Sequence, residues 1–242
     1  MLTIAKLGVG QENYYLAKVA RGVEDYYSGD GESPGTWMGR GAARLGLVGD
    51  VPGAHLRAGL AGRDPLTDEQ LAGIPGARRV PGWDLTFCAP KSVSLLYALG
   101  DHDTSAAVVA AHEAAVAEAV RYLERHATVS RRRTGDAVRQ IVGEGLVIAA
   151  FRHRTSRAGD PHLHTHALAL NMVERVGGGW GALHSPVLYR HARTAGFLYQ
   201  AVLRGELTEQ LGVAWEPVHN GYAEVAGVDR SVLTAFSKRH AE

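Results

Sequence analysis

Two periodicities run along this chain, and they change places at glycines, prolines and charged turns. Met1 to Leu7 alternates apolar and polar residues and predicts a short strand, which Gly8 and Gly10 break before a helix carrying Tyr14 and Tyr15. Gly22 and Gly29 interrupt the helical pattern around Tyr26 and Tyr27. Residues 28–82 are rich in Gly and Pro and hold only short helical pieces such as Gly39 to Leu45 and Thr67 to Ala72. Trp83 to Cys88 predicts a strand with Trp83, Leu85 and Phe87 on one face and Asp84, Thr86 and Cys88 on the other. Pro90 stops it, and Ser92 to Leu99 turns helical. Asp103 or Thr104 then caps an Ala-rich helix reaching about His126, whose apolar stripe is the longest in the chain. After Arg131-Arg132-Arg133, strands are predicted at Gln140 to Val142, Leu146 to His153 and His162 to Val173. Gly177-Gly178-Gly179 turns the chain into Trp180 to His184 as a hairpin. Residues 191–211 return to a helix, short strands surround Asn220-Gly221, and a last helix starts near Asp229. That helix runs into Lys238-Arg239-His240 without a stop signal, so the chain reads as a piece of something longer; its 30 glycines keep no fixed repeat spacing, so it also reads as one compact unit.

Composition narrows the class. With 242 residues, 45% of them hydrophobic and 21% charged, the chain has a globular balance that excludes disorder. Lys and Arg (26) nearly cancel Asp and Glu (25), so a nucleic-acid partner would be held by local basic patches. The single cysteine, Cys88, excludes an internal disulfide framework or a Cys-rich zinc module and fits a reducing, cytoplasmic setting. No signal-peptide core and no bilayer-length apolar run is present, so no membrane partner is expected. A Walker loop and a His-Glu-x-x-His motif are both missing. Gly177-x-Gly-x-x-Ala182 lies between two strands and opens no helix, which removes a dinucleotide reading.

The chemistry concentrates in histidines and tyrosines. His153, His162, His164 and His166 are four of the twelve histidines. Alternate residues of a strand share a face, so His164 and His166 can converge on one ion, and antiparallel pairing brings His153 to the same place. Three imidazoles with a vacant position make an open divalent-metal site. Spacing alone admits His162 equally, and a solvent-facing row of histidines is the bland alternative. Tyr14-Tyr15 and Tyr26-Tyr27 place four of nine tyrosines in the first 27 residues. Paired aromatics ordinarily fill cores. Beside a metal-polarised phosphate and a carboxylate such as Asp84, a phenol can instead attack phosphorus and form a phosphotyrosine. Asp84 alone reads equally as an exposed strand aspartate. Arg131, Arg132 and Arg133 would usually be a solvated loop; with Arg152, Arg154, Arg157, Arg190 and Arg193 they can form a basic channel for a phosphate backbone.

Three separated motifs occur in one order: Asp84-Leu-Thr-Phe-Cys-Ala-Pro-Lys-Ser-Val-Ser94, Phe151-Arg-His153-Arg-Thr-Ser-Arg157 and Asp160-Pro-His-Leu-His164-Thr-His166. With the Trp37 to Leu47 segment, they resemble the relaxase domain of MobF-type conjugative relaxases, the TrwC/TraI group of HUH endonucleases, across essentially the whole chain. The resemblance implies an α+β fold, a palm-like central antiparallel β-sheet flanked by helices. It implies one domain over residues 1–242, the N-terminal part of a longer relaxase-helicase. It implies that His153, His164 and His166 hold one divalent ion (Mg, Mn or Zn), with His162 a spectator. Asp84 matches the acidic residue that orients a metal histidine and helps activate the tyrosine. Tyr14 and Tyr26 match the first members of two tyrosine pairs, here twelve positions apart.

The implied function is site- and strand-specific nicking of single-stranded DNA at an origin of transfer, through a 5′-phosphotyrosyl intermediate, in plasmid mobilisation. The implied partners are single-stranded DNA with an adjacent hairpin or duplex segment, and accessory transfer proteins. Two other readings are a rolling-circle replication initiator, which shares the chemistry, and a non-catalytic metal-containing DNA-binding module.

Overall fold

The structure is a computed structural model describing residues 2–17, 34–73, 79–156 and 158–237. In chain order the first elements are β1 (Leu2–Lys6), α1 (Glu12–Ala17), β2 (Thr36–Met38), α2 (Arg40–Arg44), α3 (Gly53–Leu60), β3 (Gly82–Cys88) and α4 (Lys91–Leu99). There follow α5 (His102–Ala127), β4 (Val129–Thr134), β5 (Ala137–Val142), β6 (Ile148–Thr155), β7 (Pro161–Leu170), β8 (Val173–Glu174), β9 (Trp180–Gly181), α6 (Ser185–Leu211) and α7 (Arg230–Ala235). Five strands form one antiparallel sheet in the order β1-β3-β7-β6-β2, with β7 in the middle. The expected α+β architecture, a central antiparallel sheet with flanking helices, is the one observed.

Strand parity sorts the sheet into two cores. Trp83, Leu85 and Phe87 of β3, Ile148 of β6, and Leu163, Ala167 and Ala169 of β7 pack with α5 and α6. On the opposite face, Ala149 and Phe151 of β6 and Leu168 and Leu170 of β7 pack with Tyr15, Trp37, Leu47, Leu56 and Leu60. The polar half of β3, Asp84 and Thr86, therefore shares a face with this second, smaller core.

Helix α5 buries Val108, Ala111, Ala115, Val116, Ala119, Val120, Leu123 and Ala127, a stripe at three- and four-residue spacing whose alanines let α6 approach closely. Its cap is Asp101, upstream of the expected Asp103 or Thr104; the Asp101 carboxylate accepts the Thr104 N–H at 2.8 Å. Asp103 sits in the first turn, where a negative charge favours the helix dipole without capping it. Helix α6 starts at Ser185, six residues before the expected 191, because Pro186 is compatible with a first helical turn. It ends at Gly212, whose φ of 65° is the left-handed cap geometry that glycine adopts freely.

Four other expectations change. Thr67 to Ala72 forms no helix: the Asp64 carboxylate accepts the N–H groups of Leu66 and Thr67, and Arg63 bridges to Gln70. Arg131, Arg132 and Arg133 lie on β4, an exposed strand paired with β5 in a two-stranded sheet of its own, and not in a loop. The strand expected over Leu146 to His153 begins at Ile148 and continues to Thr155, so His153 is followed by two more strand residues. The short strands around Asn220-Gly221 are single bridges, His219 to Tyr222 and Trp215 to Val225, about a turn with Asn220 at a φ of 50°.

A buried carboxylate ties this frame together. Glu124 of α5 accepts the backbone N–H of Arg40, at the start of α2, at 2.7 Å and that of Leu146 at 2.9 Å. The chain comes so close here that a Cβ on Gly39, at a φ of 90°, would lie 2.4 Å from the Leu146 carbonyl oxygen. Glycine is required there.

Candidate metal and nucleophile site

Register brings the site together. In the β6–β7 ladder His153 lies opposite His164 and Phe151 opposite His166; in the β3–β7 ladder Thr86 lies opposite His166. Alternation then points His153, His164, His166, Asp84 and Thr86 to one face of the sheet. Among the described residues, the ligand nitrogens of His153, His164 and His166 lie within 4.8 Å of one another. Their rings are 5.0 to 5.2 Å apart, centre to centre.

Oxygen acceptors hold two of these rings. His164 Nδ1 is 2.7 Å from the carbonyl of His162, and His166 Nδ1 is 2.8 Å from Asp84 Oδ2. A carbonyl and a carboxylate only accept, so both Nδ1 atoms carry a proton, and Nε2 is the atom of each ring left for a metal. Burial, with the neighbouring His162, His166 and His153 adding to it, pushes the His164 imidazole far below its ordinary value and keeps it neutral. Three imidazoles converging at this separation fit a divalent ion, with coordination positions left for water or substrate.

Asp84 is the hub. Its Oδ2 accepts from His166 and from the Tyr15 hydroxyl at 3.0 Å, and its Oδ1 accepts from the Thr86 hydroxyl at 3.1 Å. Asp84 is buried, unlike the exposed strand aspartate of the bland reading. Its hydrogen bond to His166 fixes which nitrogen of that ring faces the carboxylate.

The two adjacent tyrosines divide sharply. Tyr15 is buried, stacks on Phe151 at 5.9 Å and donates to Asp84. Burial first, and then the Asp84 charge, raises its phenol far above the ordinary tyrosine range, so it stays protonated. Tyr14 is 36% exposed, and its ring stands edge-on to His153 and His166 at 6.5 and 6.4 Å. Both tyrosines come from α1, which follows a break at Gly10 with a φ of 85°.

His162 shares the parity of His164 and packs against its ring at 4.6 Å, but it falls outside the converging set. It lines a groove of about 1210 Å³ with Cys88, Lys91, Asp160, Tyr222 and Glu224. The groove is where the sheet face meets the segment from Glu216 to Ser237. Of the arginines, Arg131, Arg132 and Arg133 are exposed on a sheet separate from the one carrying the histidines. Arg154 is half-buried on β6. Arg152 lies 3.3 Å from Glu113 on α5, on the helix side, which takes it out of the expected channel. Tyr26 and Arg157 lie outside the described residues. Sequence reasoning missed Thr86 and the division between Tyr14 and Tyr15. Thr86 was detectable from its parity with Asp84; the tyrosines' roles depend on where α1 docks.

One face of the antiparallel sheet thus carries a three-histidine cluster, with the buried Asp84 carboxylate on His166 and the partly exposed Tyr14 ring beside His153 and His166. The TrwC relaxase family model matches residues 9–242. The chain is 36% identical over 238 residues to the multifunctional conjugation protein TraI of Escherichia coli K12, covering 94% of this chain and 13% of TraI. It thus spans about an eighth of that relative's length. The conjugative relaxase TrwC in complex with OriT DNA, in its metal-bound structure, superposes with a TM-score of 0.85 at 36% identity, covering 100% of this chain and 81% of that one. TrwC complexed with a 27-mer DNA comprising the recognition hairpin and the cleavage site gives 0.81 at 34% identity, covering 100% and 80%. The chain belongs to the TrwC relaxase family. No helix among the described residues is long and apolar enough to cross a membrane.

Proposed function

We propose that this chain nicks single-stranded DNA at an origin of transfer by tyrosine transesterification, in conjugative mobilisation. The observation that carries the reading is the accessible Tyr14 phenol set against the rings of His153 and His166. The family's TrwC members bound to OriT DNA support the substrate class.

Tyr14 Oη attacks the scissile phosphorus; the tyrosyl O–P bond forms as the bond to the 3′-oxygen breaks. The phenolic proton leaves to a base, and the departing 3′-oxygen takes up a proton to become a hydroxyl. The product is a 5′-phosphotyrosyl link, which keeps the phosphodiester energy and so permits rejoining without ATP. We assign the proton acceptor to Asp84, the buried carboxylate of the site, which also holds His166 and Tyr15 in place. Tyr15, kept protonated, positions the carboxylate and does not attack. His153, His164 and His166 are the ligands we assign to one divalent ion, Mg, Mn or Zn, which when bound polarises a non-bridging phosphate oxygen. Tyr26 is at most the phenol of a second transfer. The exposed Arg131, Arg132 and Arg133 ribbon, with Arg154 and Arg157, contacts backbone phosphates of the single strand or of an adjacent hairpin. The setting is the bacterial cytoplasm, with accessory transfer proteins as further partners.

The test is a denaturing gel of protein mixed with a single-stranded oligonucleotide carrying the cognate site. A covalent adduct that Tyr14→Phe abolishes is expected. An adduct that persists in Tyr14→Phe and is lost in Tyr15→Phe would reassign the nucleophile.

A further inference from the structure

On the helix side of the sheet, directly behind the histidines, lies a buried polar chain that the proposed reaction does not use. His112 of α5 is fully buried within a stripe otherwise made of Ala, Val and Leu. Its Nδ1 is 2.8 Å from the hydroxyl of Tyr199 on α6, and its Nε2 is 2.7 Å from the hydroxyl of Thr165 on β7. A neutral imidazole offers one donor and one acceptor, and each hydroxyl rotates to supply the complement, so the chain is satisfied at both ends. Burial lowers the His112 imidazole to about 3, which keeps it in that neutral form. An apolar residue would fill this helix–sheet contact without the desolvation cost of a buried imidazole.

What the imidazole supplies is a fixed point on β7. Thr165 stands between His164 and His166, and by strand alternation it projects through the opposite face of the sheet. A second peg acts beside it: Gln200 of α6 donates from Nε2 to the Cys88 carbonyl at 3.1 Å, and Cys88 is the β3 partner of His164. Both long helices therefore grip, through side-chain hydrogen bonds, the two strands under the histidine cluster.

We propose that His112 is a positioning residue for the metal site. With Tyr199 it anchors Thr165, and so holds the His164-Thr165-His166 stretch at the pitch where both imidazoles meet His153. The proposal rests on the reading of His153, His164 and His166 as a metal triad. Losing the anchor lets the strand shift by fractions of an ångström, which a three-nitrogen set feels and a hydrophobic core does not.

The experiment is Zn²⁺ affinity of the folded protein, measured by competition with a chromophoric chelator, together with the visible absorption of the Co²⁺-loaded protein. Metal-free thermal stability is recorded alongside. Thr165→Val keeps the side-chain shape and removes the hydroxyl; His112→Leu removes the imidazole. Each is expected to weaken Zn²⁺ binding by about tenfold and to shift the Co²⁺ band, the double variant to do no worse than the poorer single one, and Thr165→Ser to bind within about twofold of the parent. If His112→Leu does not fold, Thr165→Val carries the test. Parental Zn²⁺ affinity and an unchanged Co²⁺ spectrum in Thr165→Val, with only stability reduced, would overturn the proposal. Failure of the parent to bind Zn²⁺, or binding unaffected by His164→Ala, would instead remove the triad reading and this proposal with it.

Discussion

Replacing Asp84 separates what its shape does from what its charge does. The carboxylate receives three donors: His166 Nδ1 at 2.8 Å and Tyr15 Oη at 3.0 Å on Oδ2, and Thr86 Oγ1 at 3.1 Å on Oδ1. In Asp84→Asn the amide oxygen can keep the His166 and Tyr15 side while the NH₂ faces Thr86, whose hydroxyl rotates to accept. The His166 tautomer survives, and only the charge is lost. Asp84→Ala leaves the His166 N–H and the Tyr15 O–H buried without that partner, at about 1–3 kcal/mol each. We therefore expect Asp84→Asn to lose about 1 kcal/mol of stability and about tenfold in Zn²⁺ affinity. For Asp84→Ala we expect about 2–6 kcal/mol and about a hundredfold, the affinity losses being the two ends of the range for a group that orients a metal ligand. Urea unfolding of the metal-free protein and chelator competition measure the two quantities separately. Equal Zn²⁺ affinity in the parent, Asp84→Asn and Asp84→Ala would refute the assignment of Asp84 as the group that orients His166.

Tyr15→Phe should keep adduct formation and cost about 1 kcal/mol from one buried hydrogen bond, whereas Tyr14→Phe should lose the adduct at nearly unchanged stability; a denaturing gel and a melting curve read both. His112, at about 3 in the folded state, lies below its unfolded value, so the unfolded chain binds the extra proton as pH falls. Its contribution is complete above about pH 6.5 and is lost below it at up to about 1.4 kcal/mol per pH unit, and a slope between pH 6 and 4.5 that His112→Leu leaves unaltered would contradict this. Substituting Arg131, Arg132 and Arg133 by Ala should flatten the dependence of log K on log salt by about 0.7 per lost phosphate contact on a single strand, or about 0.9 on a duplex. An unchanged slope would show that the ribbon is only solvated. Gly39→Ala should destabilise the fold by about 2 kcal/mol or more, since its Cβ would meet the Leu146 carbonyl at 2.4 Å; a parental melting temperature would count against that close approach.

The parts of the site that were legible are those set by local periodicity. Strand alternation put Asp84 and Thr86 on one face of β3 and His164 and His166 on one face of β7, and the ladders carry out that pairing. The illegible parts depend on long-range docking. Tyr14 and Tyr15 are identical as letters, and only the seating of α1 on Phe151 and Asp84 buries one and exposes the other. His112 reads as one polar residue in an Ala-rich helix; its partners Thr165 and Tyr199 are 53 and 87 positions away. α3 and β2 were missed within a Gly- and Pro-rich stretch because their formation leans on the second core, through Leu56, Leu60 and Trp37. The basic run at Arg131 to Arg133 reads as a loop because all three of its positions are exposed and show no apolar alternation.

The middle strand of the sheet is also the last of its five strands to leave the ribosome. β7 pairs with β3 and β6, so until residue 170 has emerged neither ladder is complete. Tyr14, Asp84 and His153 are by then already made and have no common surface to meet on. Closing the Thr86 to His166 pair spans 80 positions, a contact that forms slowly because so much chain entropy is given up at once. The three-histidine cluster is therefore born whole and late, when β7 slots between its neighbours. A nascent chain shorter than that carries Tyr14 and Asp84 without the histidine pair that they face in the finished sheet.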